Sequence, residues 1–525
     1  MNTRAIWIAG LGYLLPLPAA AHGFAQRYDL PVPLTLYISG SAAAVALSFV
    51  VIAIFVRARG GLTDYPRFNL LTTAIGRALA SSLLIGLCRF VTLGLMLLVI
   101  AAGLFGNPNP FKNIAPTTVW VIWWVGFAYL SGLVGNLWAV INPWATAFDL
   151  SERLARLIKP SARVGGRFAY PGWLGDWPAV LLLLGFVWAE LVWPNSDVPS
   201  SLAVAIIIYS LITWLGMFLF GKYTWLRHGE AFSVLFGLLA RFAPTEVRVT
   251  NNTVCASCDA AACQHNPSDC INCYECFDKA RPNEREWNLH PWAVGLVVER
   301  PISVSCMAFV IVMLASVTFD GILATPLWAT VAEWMLFSPG FRPLVLVLQD
   351  ITGNAIAAVS TIAMCMFIGT FTLSYLAFSF LMRRSTPQPY RDSWTTGELA
   401  RLFVLSLIPI ALAYHLAHYL SFLLIVGQYM IPLISDPFGF GWNLFGTKLY
   451  FIKIGIVNAR FVWITSVVAI VIGHIIAVYI AHVVAMRAFG NNRAALLSQM
   501  PMLILMVAYT MISLWILAQP VVETG

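Results

Sequence analysis

Apolar residues run along this chain in stretches of roughly 17 to 25, the length an α-helix needs to cross the hydrocarbon core of a bilayer. Ten such spans are expected near residues 34–56, 84–105, 118–140, 178–193, 201–221, 301–319, 354–382, 402–425, 461–485 and 500–519. The fourth is short and the seventh long. Between spans, 141–177 opens with Asn142-Pro143-Trp144 and continues through Glu152, Arg153, Arg156 and Lys159, which predicts a short helix lying at the membrane interface. Residues 229–243 have a similar amphipathic character. The segments 320–353 and 426–460 are rich in Gly, Pro and aromatics and have the length of functional or lid-like loops. The pattern predicts an all-α fold: a polytopic integral membrane bundle of about ten transmembrane helices with a cysteine-rich cytoplasmic loop.

Composition agrees, with 60% hydrophobic residues, 10% charged residues and a mean hydropathy of +0.80, outside the range of soluble domains. Residues 1–21 carry Arg4, an apolar stretch through Pro18 and the small triplet Ala19-Ala20-Ala21, as a cleavable secretory signal does. The mature chain then begins outside, at His22. With that start the inner segments hold 23 of the 31 Lys and Arg and the outer segments hold six. This is the positive-inside distribution of a multi-pass protein of the bacterial inner membrane with both mature termini periplasmic. The net charge of +8 therefore follows topology and anionic lipid, and no nucleic-acid partner is expected. The chain divides into five spans in 22–221, the inner segment 222–300, and five spans in 301–525.

Chemistry concentrates in two places. Six of the nine cysteines lie between Cys255 and Cys276, spaced C-x2-C-x4-C-x6-C-x2-C-x2-C, with His265 between the halves. Cys255, Cys258, Cys263, Cys270, Cys273 and Cys276 sit in an inner, reducing segment, where disulfides are not expected. The short i,i+3 steps suit a metal centre. An iron–sulfur cluster could use Cys270, Cys273 and Cys276 with a fourth thiolate, although the bacterial ferredoxin continuation C-x3-C-P is missing after Cys276. Zinc accepts paired C-x2-C steps plus His265, and seven ligands could hold two ions with one shared or with one ligand from elsewhere. Both remain open, alongside a centre that simply folds the loop.

The second place is within the membrane, where ionisable side chains are costly and carry function or a partner. His415 and His418 share a face of the eighth span at i,i+3. His474 and His482 share a face of the ninth. The depths of His415, His418 and His474 let three imidazoles converge on a metal, or two clamp a haem. Asp320 and Asp436 are the favoured carboxylates for a base or ligand, with Glu190, Glu333 and Asp350 also on the outer side. A free His22 amine and imidazole could chelate a copper-like ion.

Several stretches resemble polytopic bacterial membrane proteins known as fenitrothion hydrolases. They are Ala21-His22-Gly23-Phe24 through Pro33, Tyr170-Pro171-Gly172-Trp173-Leu174-Gly175-Asp176-Trp177-Pro178-Ala179, Gly229-Glu230-Ala231-Phe232-Ser233-Val234, Thr318-Phe319-Asp320-Gly321, and the run from His415 through Gly427-Gln428 to Ser435-Asp436-Pro437. The resemblance implies hydrolysis of an apolar organophosphorus triester, releasing a nitrophenol, and carries no catalytic residues with it. A metal-bound hydroxide held by the three histidines would suit that reaction. Two other functions compete: a redox membrane protein linking the inner cluster to a haem, quinone or outer metal, and a metal transporter or assembly factor. A partner subunit is compatible with each.

Overall fold

The structure is a computed structural model that describes residues 33–55, 65–256, 258, 260, 263 and 270–519. The expected signal segment, His22 and His265 lie outside the described residues. Among the described residues, ten helical spans are long and apolar enough to cross a membrane: α1 Leu34–Ile54, α2 Ser82–Phe105, α3 Ile114–Leu133, α4 Gly172–Leu191, α5 Pro199–Phe220, α6 Val304–Leu323, α7 Ala355–Ser385, α8 Thr396–Ser435, α9 Ala459–Phe489 and α10 Asn492–Leu517. The protein is thus an all-α, multi-pass membrane bundle. Span starts are written in the sequence. The side chains of Ser81, Ser303, Asn354, Asn458 and Asn491 cap α2, α6, α7, α9 and α10 by accepting from backbone N–H groups, and Thr395 with Glu398 forms a capping box at α8.

The bundle is built around α8, the most enclosed span, which packs along α9 and also meets α6 and α3. Outside this centre, α1 lies on α9 and α10, α7 on α10 and α6, α4 on α6, and α2 on α5. The α8–α9 contact is close because Gly473 has no side chain. A Cβ there would fall 2.4 Å from Ala413 Cβ and 2.8 Å from Pro409 O. Between lipid-embedded helices, close approach at small residues supplies packing that the hydrophobic effect does not.

Three expected segments are placed differently. The third span ends at Leu133, short of 140, because Gly135 takes φ +147° and a Cβ there would meet Thr245 Oγ1 at 2.1 Å. Only glycine fits that turn, and the chain leaves the helix to meet the strand that carries Thr245. The segment 229–243 is no interfacial helix. Its helix Ala231–Ala240 buries Phe232, Leu235, Phe236, Leu238 and Leu239 within the bundle. The segment 320–353 contains two helices, Pro326–Phe337 and Arg342–Thr352, bent by 104° against each other.

The segment 222–300 folds around a small antiparallel sheet of β1 Phe68–Asn69, β2 Thr245–Val249, β3 Cys270–Ile271 and β4 Arg285–Leu289, in the order β1-β4-β2-β3. Its first strand comes from the α1–α2 connection, so both sequence regions share one membrane face. Buried Glu246 fixes that junction, accepting from Tyr65 Oη and Arg67 Nε at 2.6 Å each. Arg227–Glu275 at 3.0 Å and Tyr223–Asp278 at 2.8 Å tie the cysteine segment to the chain leaving α5.

Candidate functional site

Because successive spans alternate in direction, the cysteine segment between α5 and α6 lies at the N-terminal ends of α4, α6 and α8. Glu190 and Asp320 sit near the C-terminal ends of α4 and α6, toward the opposite face. From Val304, Asp320 is about 24 Å along the helix at 1.5 Å per residue.

There the three spans exchange polar side chains. His418 Nε2 lies 2.8 Å from Asp320 Oδ2. Tyr419 Oη lies 2.5 Å from the same oxygen and 3.1 Å from Glu190 Oε1. A phenol has one proton to donate, so it can satisfy only one of two carboxylates as a donor. Asp320 also faces the His418 imidazole, so the four side chains form one hydrogen-bonded chain from Glu190 through Tyr419 and Asp320 to His418. His415, one turn before Tyr419, lies against Trp124, Tyr129 and Tyr419, with ring centroids 5.5, 5.5 and 4.7 Å away.

The expected three-imidazole site does not assemble. Among the described residues, donor atoms of three or more His, Cys, Asp or Glu side chains gather within 4.8 Å only in the cysteine cluster. His474 instead packs on Tyr509, at 5.9 Å between centroids, and its Nδ1 meets Ile470 O at 2.8 Å. The reason is rotation about α9. Gly473 occupies the α8-facing position, so the next residue points about 100° away, toward α10. Tyr509 in turn hydrogen-bonds Thr318. Asp436 is also elsewhere. Its carboxylate accepts from the N–H groups of Phe440 at 2.9 Å and Gly441 at 2.7 Å, which makes it the organiser of a turn. Tyr419 is the partner that the sequence did not single out, and Glu190 was among the candidate carboxylates without being favoured. Its signal was a lone carboxylate inside Val187-Trp188-Ala189-Glu190-Leu191, against the cost of burying one.

The cysteines do assemble. Cys258, Cys263, Cys273 and Cys276 bring their sulfurs within 4.8 Å of one another, as do Cys255, Cys270 and Cys276. The cluster could hold a metal ion. It forms its own small core with Val249, Ala260 and Ala280, and thiols make up most of it. A hydrogen bond from Cys270 pushes the Cys273 thiol down to about 4, and the same bond raises Cys270. Burial pushes Cys263 up to about 12. Metal binding must displace the protons that the raised thiols hold.

No family model, curated protein or solved structure matches the chain.

Tyr419→Phe removes the shared hydroxyl while keeping the ring. The expected result is a loss of about 1–2 kcal/mol in stability, measured as a lower thermal midpoint in detergent, and an unchanged midpoint would show that the bridge contributes nothing.

Proposed function

We propose that the protein is a membrane transporter that exchanges a divalent metal cation for protons, with Glu190, Asp320, His418 and His415 as its intramembrane station. The observation that carries this reading is the single phenol between two carboxylates, Tyr419 between Glu190 and Asp320. Two carboxylates within an apolar bundle need either a shared proton or a cation. Oxygen and imidazole donors suit zinc, manganese or iron. A cation arriving here would draw Glu190, Asp320 and His418 together, since their donor atoms do not gather within 4.8 Å in this structure, and would compete with protons for the carboxylates, which couples the two fluxes at one site. In proteoliposomes loaded with a metal-sensitive or a pH-sensitive dye, zinc or manganese entry should be accompanied by proton movement. Glu190→Gln and Asp320→Asn should each lower metal flux at least about tenfold, since one unit of buried charge is at stake. Undiminished flux in both variants would remove the station from the pathway.

In this reading the membrane is the bacterial inner membrane, and the cysteine segment, holding zinc in preference to an iron–sulfur cluster, faces the cytoplasm. Supporting the orientation is the distribution of 23 inner against six outer Lys and Arg. A membrane-impermeant thiol reagent applied to intact cells should leave Cys273 unmodified, while metal-stripped protein in detergent reacts there. Modification from outside would invert the topology.

A second reading rests on the Asp320–His418 pair. An imidazole oriented by a carboxylate is the arrangement of a general base, and here it lies at a depth where an apolar triester would partition. Hydrolysis of a fenitrothion-type aryl thiophosphate, as the sequence resemblance implies, would then need His418 and neither His474 nor Asp436. Purified protein should release nitrophenol, and His418→Ala should abolish the release. Absence of release from the unaltered protein, tested with zinc and with manganese added, would dismiss this reading and leave transport untouched.

A further inference from the structure

The sulfur positions in the cysteine cluster set how many ions it takes. In a mononuclear tetrahedral zinc site with Zn–S bonds near 2.3 Å, neighbouring sulfurs stand about 3.8 Å apart. Cys258 and Cys273 sulfurs are 3.7 Å apart, and those of Cys263 and Cys276 are 3.8 Å apart. With all four sulfurs within 4.8 Å of one another and two of the edges at the tetrahedral value, Cys258, Cys263, Cys273 and Cys276 have the compactness of one four-thiolate site. A four-iron cube would hold its thiolates apart by the width of the cube, and these sulfurs are too close together to surround one.

Two thiols then stand outside that tetrahedron. Cys255 and Cys270 gather with Cys276, which belongs to both groups. Cys263 reaches the second group through Cys270 and Cys276, 3.3 and 3.8 Å away, without gathering with Cys255. Two four-coordinate ions need eight ligand positions, and six thiolates fill eight only when two of them bridge. We infer that the cluster is a two-metal, six-thiolate centre of the zinc class, with Cys258 and Cys273 terminal on one ion, Cys255 and Cys270 terminal on the other, and Cys263 and Cys276 bridging both.

The surroundings suit the charge. Six thiolates and two divalent ions leave a net of minus two. Arg227 lies within electrostatic reach of Cys258 and Cys273, and Lys279 of Cys258 and Cys276, with Glu275 holding both cations at 3.0 and 2.8 Å. All six sulfurs belong to residues of one compact core, and five of the six cysteines are buried. The site would be assembled from Cys255 at the end of the short helix Asn252–Ala256, from Cys258 and Cys263, and from β3 with the helix Tyr274–Lys279 that follows it. Ion binding would then supply folding free energy to a domain that has little else inside it.

Purified full-length protein in detergent, expressed with zinc, provides the test. Metal analysis should give two zinc ions per chain with no iron or acid-labile sulfide. X-ray absorption at the zinc edge should show four sulfurs per zinc at about 2.3 Å and a zinc–zinc scattering shell. One ion per chain, iron with labile sulfide, or two zinc ions without a zinc–zinc shell would each overturn the bridged centre. His265→Ala separates the remaining possibility, because it should leave two ions bound; loss of one would make His265 a terminal ligand in place of a bridge. The same counts are made on the Glu190→Gln, Asp320→Asn double variant, which removes any zinc held at the membrane site, so failure of the bridged centre is distinguishable from failure of the transport reading.

Discussion

A carboxylate among apolar helices finds no water to satisfy it, and each helix that supplies a donor is thereby fixed in register. Asp320 imposes that constraint on the centre of the bundle. Its partners His418 and Tyr419 come from α8, and through Tyr419 it meets Glu190 of α4. Lipid tails give helices little hydrophobic reason to associate, so polar joints of this kind specify which helices meet and at what height. The same device recurs nearer the cysteine face. Buried Glu230 accepts from the backbone N–H groups of Phe232 and Ser233, at 2.9 and 2.8 Å, from Ser233 Oγ, and from the Tyr209 hydroxyl. It thereby fastens the short helix Ala231–Ala240 to α5. Asp176 meets His228 Nδ1 at 2.7 Å and Ser303 Oγ at 2.8 Å, joining the start of α4 to the start of α6.

How much of this was legible depended on the range of the interaction. Span number followed from local hydropathy, and all ten spans stand close to where the apolar runs put them. The cysteine cluster followed from spacing. The Asp320–His418 contact was half visible, since both residues violate the cost rule for buried charge and lie at similar depth. What stayed hidden were rotations and partners. The phase of His474 about α9 is set by Gly473 against Ala413 and Pro409, a contact between spans that neither sequence segment announces alone. Asp436 looked like a membrane carboxylate because it adjoins a span end. Its local neighbours Phe440 and Gly441 claim both oxygens, which a turn five residues long can do without help from other helices. The apolar helix at 231–240 was misplaced for a related reason. Its anchor is the Glu230 cap, and the carboxylate gave the segment a polar edge that reads as an interface when its partners are unseen.

The two chemical centres lie at opposite ends of the bundle, and the packing between them bears on the transport reading. Along α3 and α4 the interval is filled by rings. Trp124 meets Phe186 at 4.7 Å, Phe186 meets Phe232 at 4.9 Å, and Phe232 meets Trp123 at 4.2 Å. Close-packed aromatics of that kind leave no room for a hydrated ion. On the other flank the contacts are more polar. Thr318 reaches Tyr509, which packs on His474, and two turns further along α9 His482 Nδ1 lies 3.3 Å from Gln499 Nε2. A small cavity beside this contact is lined by Gln499 and otherwise by apolar side chains, among them Phe49, Met382, Phe403, Val478 and Met506. The polar groups on this flank therefore form separate pairs with apolar walls between them. On the transport reading, passage of a metal ion between the two centres would require α9 and α10 to part, so movement along either flank calls for a change in how the spans pack.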